Sequence, residues 1–431
     1  MVDVTSSYFD ELLNLGLIQR MDIVNDNKKG SVSYTVHPAV FDFITCKSME
    51  DNFLTIIDYS QSTVVVTEKI RRLSLHFGSA TYATIPKSVE LSEVRSLAFT
   101  GLLGCLPSFV EFQLVRVMIL HLQSDDGNTR FSLADISILI LLRYLQVRSN
   151  GTVELPEQLG CLKHLETLEI NAQVATVPTD VVRHPSLLRV RLGTVTKYKH
   201  HTLGSFTSGQ AIFADVFSSP PSDAVEVLEL LPPICSFSRL PGWIQQLRGL
   251  RILEIVITEL WGHDMNHLAE LPVLTALSVY VRKPDKERVV TFQKAFPVLK
   301  YLKLVSCVLL MNFWKGVLPN LQRLKIGFNA QRGEKYYDRI LGGIQHLSKL
   351  QEIVASIGAA PDAEESDKRA AESALSVAIK GDKKEASFKV KLVDRFEEQY
   401  DASHIHCDEA RENWCDLLHG RIDSHWRGPR G

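Results

Sequence analysis

A chain of 431 residues that is 45% hydrophobic and 23% charged has material for a large buried core and is neither fibrous nor wholly disordered. Its formal net charge of -2 supplies no overall field to recruit nucleic acid or an anionic membrane surface, and no apolar run approaches the roughly 18 residues of a membrane span. The seven cysteines are scattered singly and odd in number, unlike a secreted disulfide framework, and the first residues lack a basic stretch followed by an apolar one, so the chain reads as cytoplasmic with reduced thiols.

Residues 1–60 have a rhythm of their own. Tyr8, Leu12, Leu13 and Leu17 space as one helix face. Ser31 to Val36 alternate as a strand after the turn-forming Asn27-Lys28-Lys29-Gly30, and Ala39 to Ile44 suit a second helix. A helix, hairpin and helix of this size is winged-helix-like.

From residue 61 to 357 the pattern LxxLxL recurs. It starts at Ile70, Val94, Val115, Leu142, Leu165, Leu187, Val225, Leu250, Leu274, Leu299, Leu321 and Leu350. Successive starts lie 21 to 29 residues apart, except for 38 between Leu187 and Val225, which fits the period of about 20 to 29 residues of leucine-rich repeats. The stretches "LPEQLGCLKHLETLEI" (Leu155 to Ile170) and "LPGWIQQLRGLRILEI" (Leu240 to Ile255) show the unit in full. The LxL pair is predicted to be a short strand with its leucines inward, and the LPxxIxxL segment a turn or short helix covering it. One unit buries too few side chains, each worth about 1.5 to 3 kcal/mol, to offset backbone ordering of about 1 to 2 kcal/mol per residue, so the units must stack. The expected fold is an α/β leucine-rich-repeat horseshoe of about twelve repeats. Three positions after the LxL pair stand Asn150, Cys307 and Asn329, but Gln173 in another unit, so a buried polar ladder would be incomplete.

Two segments break the period. "GTVTKYKHHTLGSFTSGQAIFADVFSSPPSDA" reads as an inserted loop, with His200 and His201 solvated rather than ligating a metal. Residues 358–396 are expected to form a carboxy-terminal capping unit, with a helix stripe of Ala370, Ala374, Leu375 and Ala378 and a strand alternating Phe388, Val390 and Leu392. Residues 397–431 are expected to be a disordered tail; its His404, His406, Cys407, Cys415 and His419 match no zinc-finger spacing. No Gly-x-Ser-x-Gly elbow, His-Glu-x-x-His helix or kinase signature is present, so the expectation is no enzyme, no metal and no cofactor.

Residues flanking the inward leucines of each strand point to the opposite, concave face. They include Tyr144, Gln146, Arg148, Thr167, Glu169, Arg189, Arg191, Glu229, Glu254, Tyr280, Lys303, Arg323 and Lys325. The basic residues of this column are candidates for docking an acidic protein surface; the alternative is a solvated face with no partner.

"YFDELLNLGLIQ", "YTVHPAVFDFI" and "DNFLTII" together resemble the end of the nucleotide-binding module of plant intracellular nucleotide-binding leucine-rich-repeat disease-resistance receptors. "VEVLELLPPICSFSRLPGWIQQLRGLRILEI", "FPVLKYLKLVSC", "LPNLQRLKIGFNAQR", "GIQHLSKLQEI" and "DKRAAESALSVAI" resemble the repeat domain of the cereal branch of that family. The resemblance runs from about Ser6 to Asp394 and covers the carboxy-terminal portion of such a receptor. It implies a region that represses a nucleotide switch and senses a pathogen effector or guarded host protein. Its partners would then be that protein and the nucleotide-binding module of a full-length receptor.

The switch itself needs a phosphate-binding GxxxxGK[ST] loop, which this sequence does not contain, so the chain alone is not expected to bind nucleotide. The family's Met-His-Asp phosphate sensor would fall on Val36-His37-Pro38. Pro38 offers neither the acceptor of Asp nor a backbone donor, so the motif is degenerate and His37 reads as structural. A free-standing repeat scaffold or decoy, or a degenerate receptor fragment without signalling output, shares the same binding chemistry. A ubiquitin-ligase adaptor would need a ligase-docking motif that the first residues do not show.

Overall fold

The computed structural model describes residues 11–22, 32–51, 53–58, 69–78, 80, 85, 89–123, 129–175, 181, 184–193, 222–230, 237–282, 289–332, 337, 340–382 and 386–393. Among the described residues, 11–14 are helical, and an antiparallel hairpin of β1 (Ile18–Asp22) and β2 (Val32–Val36) follows, then helix α1 (Pro38–Glu50). Pro38 opens α1, where a missing backbone N–H costs nothing. His37 Nδ1 accepts from the Ala39 N–H at 3.2 Å, the contact expected of a residue capping the helix.

Twelve strands then follow the twelve LxxLxL starts in order: β4 (Arg72–His76), β5 (Ser96–Leu102), β6 (Val117–Gln123), β8 (Tyr144–Glu154), β9 (Thr167–Val174), β10 (Arg189–Gly193), β11 (Val227–Leu230), β12 (Ile252–Ile257), β13 (Ala276–Val281), β15 (Tyr301–Ser306), β17 (Arg323–Ala330) and β19 (Glu352–Ala359). β3 (Thr55–Asp58) adds at one edge and β20 (Ser387–Leu392) at the other, with β7 (Arg130–Ser132) paired to the long β8. All the ladders of this 15-stranded sheet are parallel and neighbours in sequence are neighbours in space. The twelve start residues are all buried.

A single hydrogen-bond device repeats at every step. The carbonyl just before one strand accepts two consecutive N–H groups from the next unit: Arg116 O takes those of Arg143 and Tyr144, and Arg143 O takes those of Glu166 and Thr167. The same double contact links Leu188 to Glu226 and Val227, across the 38-residue gap, so the stack stays in register through the insertion. Parallel strands are otherwise short of partners at their starts, and this contact satisfies them.

Behind the sheet, short 3-10 turns present one or two apolar side chains each, as Gly242–Gln246 does with Trp243 and Ile244. The predicted LPxxIxxL cover is therefore a single tight turn. Helix α2 (Gly262–Leu268) and a second parallel sheet of β14 (Val290–Phe292), β16 (Met311–Phe313) and β18 (Leu341–Gly342) complete the outer layer. Phe292 and Phe313 stack there with ring centroids 4.9 Å apart. The apolar core lies between the two layers and runs continuously from Ile57 to Ile379.

The carboxy-terminal unit is helix α3 (Glu365–Asp382) followed by β20. Its buried residues are Lys368, Ala371, Leu375 and Ile379; of the expected stripe Leu375 is buried, Ala374 packs on the core, Ala378 is half-buried and Ala370 is exposed. Ala370 is exposed, because a spacing of three or four from Leu375 that includes Ile379 buries more apolar surface than one built on alanines. Lys368 lies among these residues by running its stem along the sheet and donating to the Val393 carbonyl at 3.3 Å. Phe388 and Val390 pack on the core, while Leu392 stays exposed at the edge. His200, His201, the Asn27 to Gly30 turn and residues 397–431, including His404, His406, Cys407, Cys415 and His419, lie outside the described residues. No described helix is long and apolar enough to cross a membrane.

Candidate protein-recognition face

The strand registers place side chains on the concave side in straight columns. One column runs Gln146, Glu169, Arg191, Glu229, Glu254, Ser278, Lys303, Lys325, each directly beside the next on adjacent strands. A second, two residues earlier, carries Tyr144, Thr167, Arg189, Tyr301 and Arg323. A third, two residues later, carries Arg148 beside Asn171, and Tyr280 farther along. All thirteen predicted concave residues therefore fall on one face, because a parallel ladder preserves the side-chain alternation from strand to strand.

Their exposure divides them. Gln146, Thr167, Glu229, Glu254 and Tyr280 are buried by their neighbours in the column, whereas Tyr144, Arg148, Glu169, Arg189, Arg191, Lys303, Arg323 and Lys325 remain half-exposed. Adjacent side chains of one column stand about 4.8 Å apart from strand to strand, so short and medium groups cover one another and the long cationic ones reach past them.

The centre of the face is an ionic ladder. Gln146 Nε2 donates to Glu169 Oε2 at 3.3 Å. Arg191 Nη1 stands 3.8 Å from Glu169 Oε1, and its Nε donates to Glu229 Oε2. On the following strands the Tyr280 hydroxyl donates to Glu254 Oε1 at 2.6 Å. Burial pushes the Glu254 carboxyl above its ordinary value of 4.5, with Glu229 adding to the rise and Lys303, the Tyr280 hydroxyl and Arg191 opposing it.

Beyond Ser278 the face turns basic and aromatic. The Lys303 ammonium lies over the Tyr280 ring at 5.0 Å and the Lys325 ammonium over Tyr301 at 5.8 Å, each one strand on from its ring. Arg323 Nε reaches Glu352 Oε2 at 3.3 Å, and Lys389 Nζ donates to Glu352 Oε1 at 2.6 Å. Burial would raise the Glu352 carboxyl, but Lys389, Arg323 and Lys325 outweigh it and hold it below 4.5.

Three features of this face were not named from the sequence. Tyr301 and Glu352 open their strands and directly precede the inward Leu302 and Ile353, in register with Arg323. At the other end Ser74 Oγ and His76 Nε2 are 2.7 Å apart, and burial lowers the His76 pKa against the charge of Asp58 on the next strand. The residue immediately before the first inward apolar residue, the position of Tyr144 and Arg323, is the signal that would have found the first two. Val36, His37 and Pro38 stand apart from this face, at the junction of β2 and α1. Among the described residues no group of three or more His, Cys, Asp or Glu is arranged to hold a metal.

Comparison with known proteins agrees with this architecture. The model of the family described as "Leucine-rich repeat region" matches residues 93–232 and 209–388. The chain is similar to Disease resistance protein RGA5 of Oryza sativa subsp. japonica, with 37% identity over 446 residues, covering 86% of this chain and 40% of that protein. It is also similar to the rice Disease resistance protein RGA4, at 29% over 372 residues (78% and 35%), and to Pik-2, at 28% over 188 residues (43% and 18%). The chain thus spans less than half the length of each of these relatives. Both the repeat architecture and the reach of these matches place the chain in the leucine-rich-repeat family, as the carboxy-terminal portion of a cereal nucleotide-binding leucine-rich-repeat disease-resistance protein.

Proposed function

We propose that this chain is the non-catalytic, protein-recognising region of a cytoplasmic plant immune receptor. Its concave face senses a pathogen effector or guarded host protein and, at rest, holds the receptor's nucleotide-binding module inactive. The observation that carries the reading is the set of long cationic side chains on two adjacent columns, Arg189 and Arg323 on one and Lys303 and Lys325 on the other, half-exposed beside a buried ionic ladder. A rigid parallel sheet presents such charges at fixed spacing, which favours electrostatic steering and selection of an acidic partner surface. The organisation that goes with this function is a winged-helix remnant at 1–60, about twelve repeats over 61–357, a capping unit at 358–396 and a tail at 397–431. In the remnant, His37 and Pro38 serve the start of α1 rather than a nucleotide.

The test is binding of the chain to the isolated nucleotide-binding module of a cereal receptor, followed by biolayer interferometry. Replacing Arg189, Lys303 and Lys325 by Glu is expected to weaken binding at least about tenfold and to flatten its salt dependence. The exposed Lys163 and Lys349, which lie off this face, serve as the control pair. Equal losses from Lys163→Glu and Lys349→Glu would remove the concave face from the interaction.

A further inference from the structure

Four consecutive repeats place an arginine at the same position, one residue after the LxxLxL start: Arg71, Arg95, Arg116 and Arg143. The backbone contact that stacks the repeats also strings these residues together. Arg71 O accepts the Arg95 N–H, Arg95 O that of Arg116 and Arg116 O that of Arg143, each at 2.8 Å. The residues that follow them, Arg72, Ser96, Val117 and Tyr144, stand in register from β4 to β8. The four arginines therefore form one straight row at about 4.8 Å per strand, about 14 Å from end to end. All four are exposed.

Left to itself such a row is unfavourable, since adjacent members lie within the Debye length of about 8 Å at physiological salt and repel one another. Elsewhere, charges that meet across repeats have opposite signs: Lys69 with Glu93, Lys294 with Glu270, and Arg323 and Lys389 with Glu352. In the row Arg143 is paired in this way, with Glu166 at 3.1 Å, whereas among the described residues none of Arg71, Arg95 and Arg116 makes an ion pair. In the next repeats the position turns to Glu166, Leu188 and Glu226, so the run of one sign is confined to the first four.

The chemistry that satisfies the row is phosphate. Guanidinium forks engage phosphate oxygens two at a time, and one phosphate monoester brings about -1.5 to -2 charges on three acceptor oxygens. Two or three clustered phosphates would neutralise the row, whereas carboxylate side chains would have to arrive four in line, each losing rotamer freedom. A nucleic acid fits less well. The row is short for the roughly 6 to 10 phosphates that such binders engage, and of the residues flanking the arginines in sequence only Tyr144 offers a ring on which a base could stack.

We propose that Arg71, Arg95, Arg116 and Arg143 form a binding strip for a small ligand with clustered phosphate groups, a soluble inositol polyphosphate or a phosphoinositide headgroup. The test is isothermal titration calorimetry of the full chain with inositol hexakisphosphate at about 0.15 M salt. One ligand per chain is expected, and Arg95→Gln, Arg116→Gln should weaken binding at least about tenfold with unchanged melting. Lys294→Gln, Lys349→Gln, which removes two exposed lysines on later repeats, should change it less than about twofold.

Equal losses from the two pairs would reduce the effect to net charge and overturn the proposal. So would full affinity in the arginine variant with loss in Lys303→Gln, Lys325→Gln, which would place the ligand on the concave columns. A polyglutamate peptide that binds as tightly as the polyphosphate would replace the ligand by an acidic protein. Sedimentation with phosphatidylcholine vesicles carrying a phosphatidylinositol bisphosphate separates the two sources. Vesicle binding lost in the arginine variant assigns the lipid headgroup, and calorimetric binding without sedimentation assigns the free polyphosphate. Neither heat nor sedimentation would overturn the strip as a phosphate site.

Discussion

Replacing Arg191 by Leu probes the centre of the ladder. Arg191 sits in register between Glu169 and Glu229, and its side chain keeps 24% exposure while that of Glu229 keeps 5%. Removing the guanidinium strands the Glu229 carboxylate one strand from Glu254, which is itself buried. Breaking a buried pair costs about 3 to 5 kcal/mol, and water already reaching Arg191 lowers that here to about 2 to 3 kcal/mol. Replacing both Arg191 and Glu229 by Leu removes the stranded charge, so the double variant should return to within about 1 kcal/mol of the native chain. The assay is equilibrium urea unfolding near neutral pH, with the midpoint and slope read from tryptophan fluorescence. A single variant within about 0.5 kcal/mol of native, or a double variant as unstable as the single one, would refute the claim that Arg191 compensates a buried carboxylate.

Other consequences follow from the same contacts. Glu254 has its folded pKa raised, so the stability it contributes is complete below 4.5 and is lost as pH rises through the folded value. Glu254→Gln should therefore gain stability over the native chain near pH 8 and show no gain below pH 4.5, in paired urea titrations. Glu352 has its folded pKa lowered, so its contribution is present above 4.5 and is lost as pH falls through the folded value. Lys389→Gln, which removes a principal cause, should flatten that acid limb, and an unchanged limb would assign it to other carboxylates. Gly343 has φ of 75°, and a Cβ there would meet the Phe313 carbonyl oxygen at 2.1 Å. Gly343→Ala should destabilise by more than about 2 kcal/mol, whereas Gly242→Ala, with open space around it, should stay within about 1 kcal/mol by thermal melting. Leu302→Ala, in a fully buried strand position, should cost about 2 to 5 kcal/mol.

The repeating leucines were legible because a solenoid has to write its core at every turn: each LxxLxL start precedes a strand, and each is buried. That the thirteen flanking residues share one face of the sheet was legible for the same reason, since alternation across a parallel strand decides the face once the inward pair is known. Exposure was not legible. Gln146 and Arg148 flank the same Val147, yet the first is buried and the second half-exposed, because the side chains on neighbouring strands decide it and they are not written in one repeat. The outer sheet of β14, β16 and β18 was missed because its three short strands, such as Met311–Phe313, carry too few residues for alternation to register. In α3 the stripe was placed one residue early at its start: Ala370 is exposed, while Ala371, at i−4 from Leu375 and i−8 from Ile379, takes the buried place.

The central claim is that the concave columns, not the outer layer, carry recognition. Its most direct measurement is affinity for a cereal nucleotide-binding module as a function of salt, for the native chain and for the Arg189→Glu, Lys303→Glu, Lys325→Glu variant, with unchanged melting as the check on folding. The expected result is a native affinity that falls steeply with salt and a variant that binds at least about tenfold more weakly with a shallower slope. A variant that binds as tightly as the native chain, with the same salt slope, would contradict the assignment.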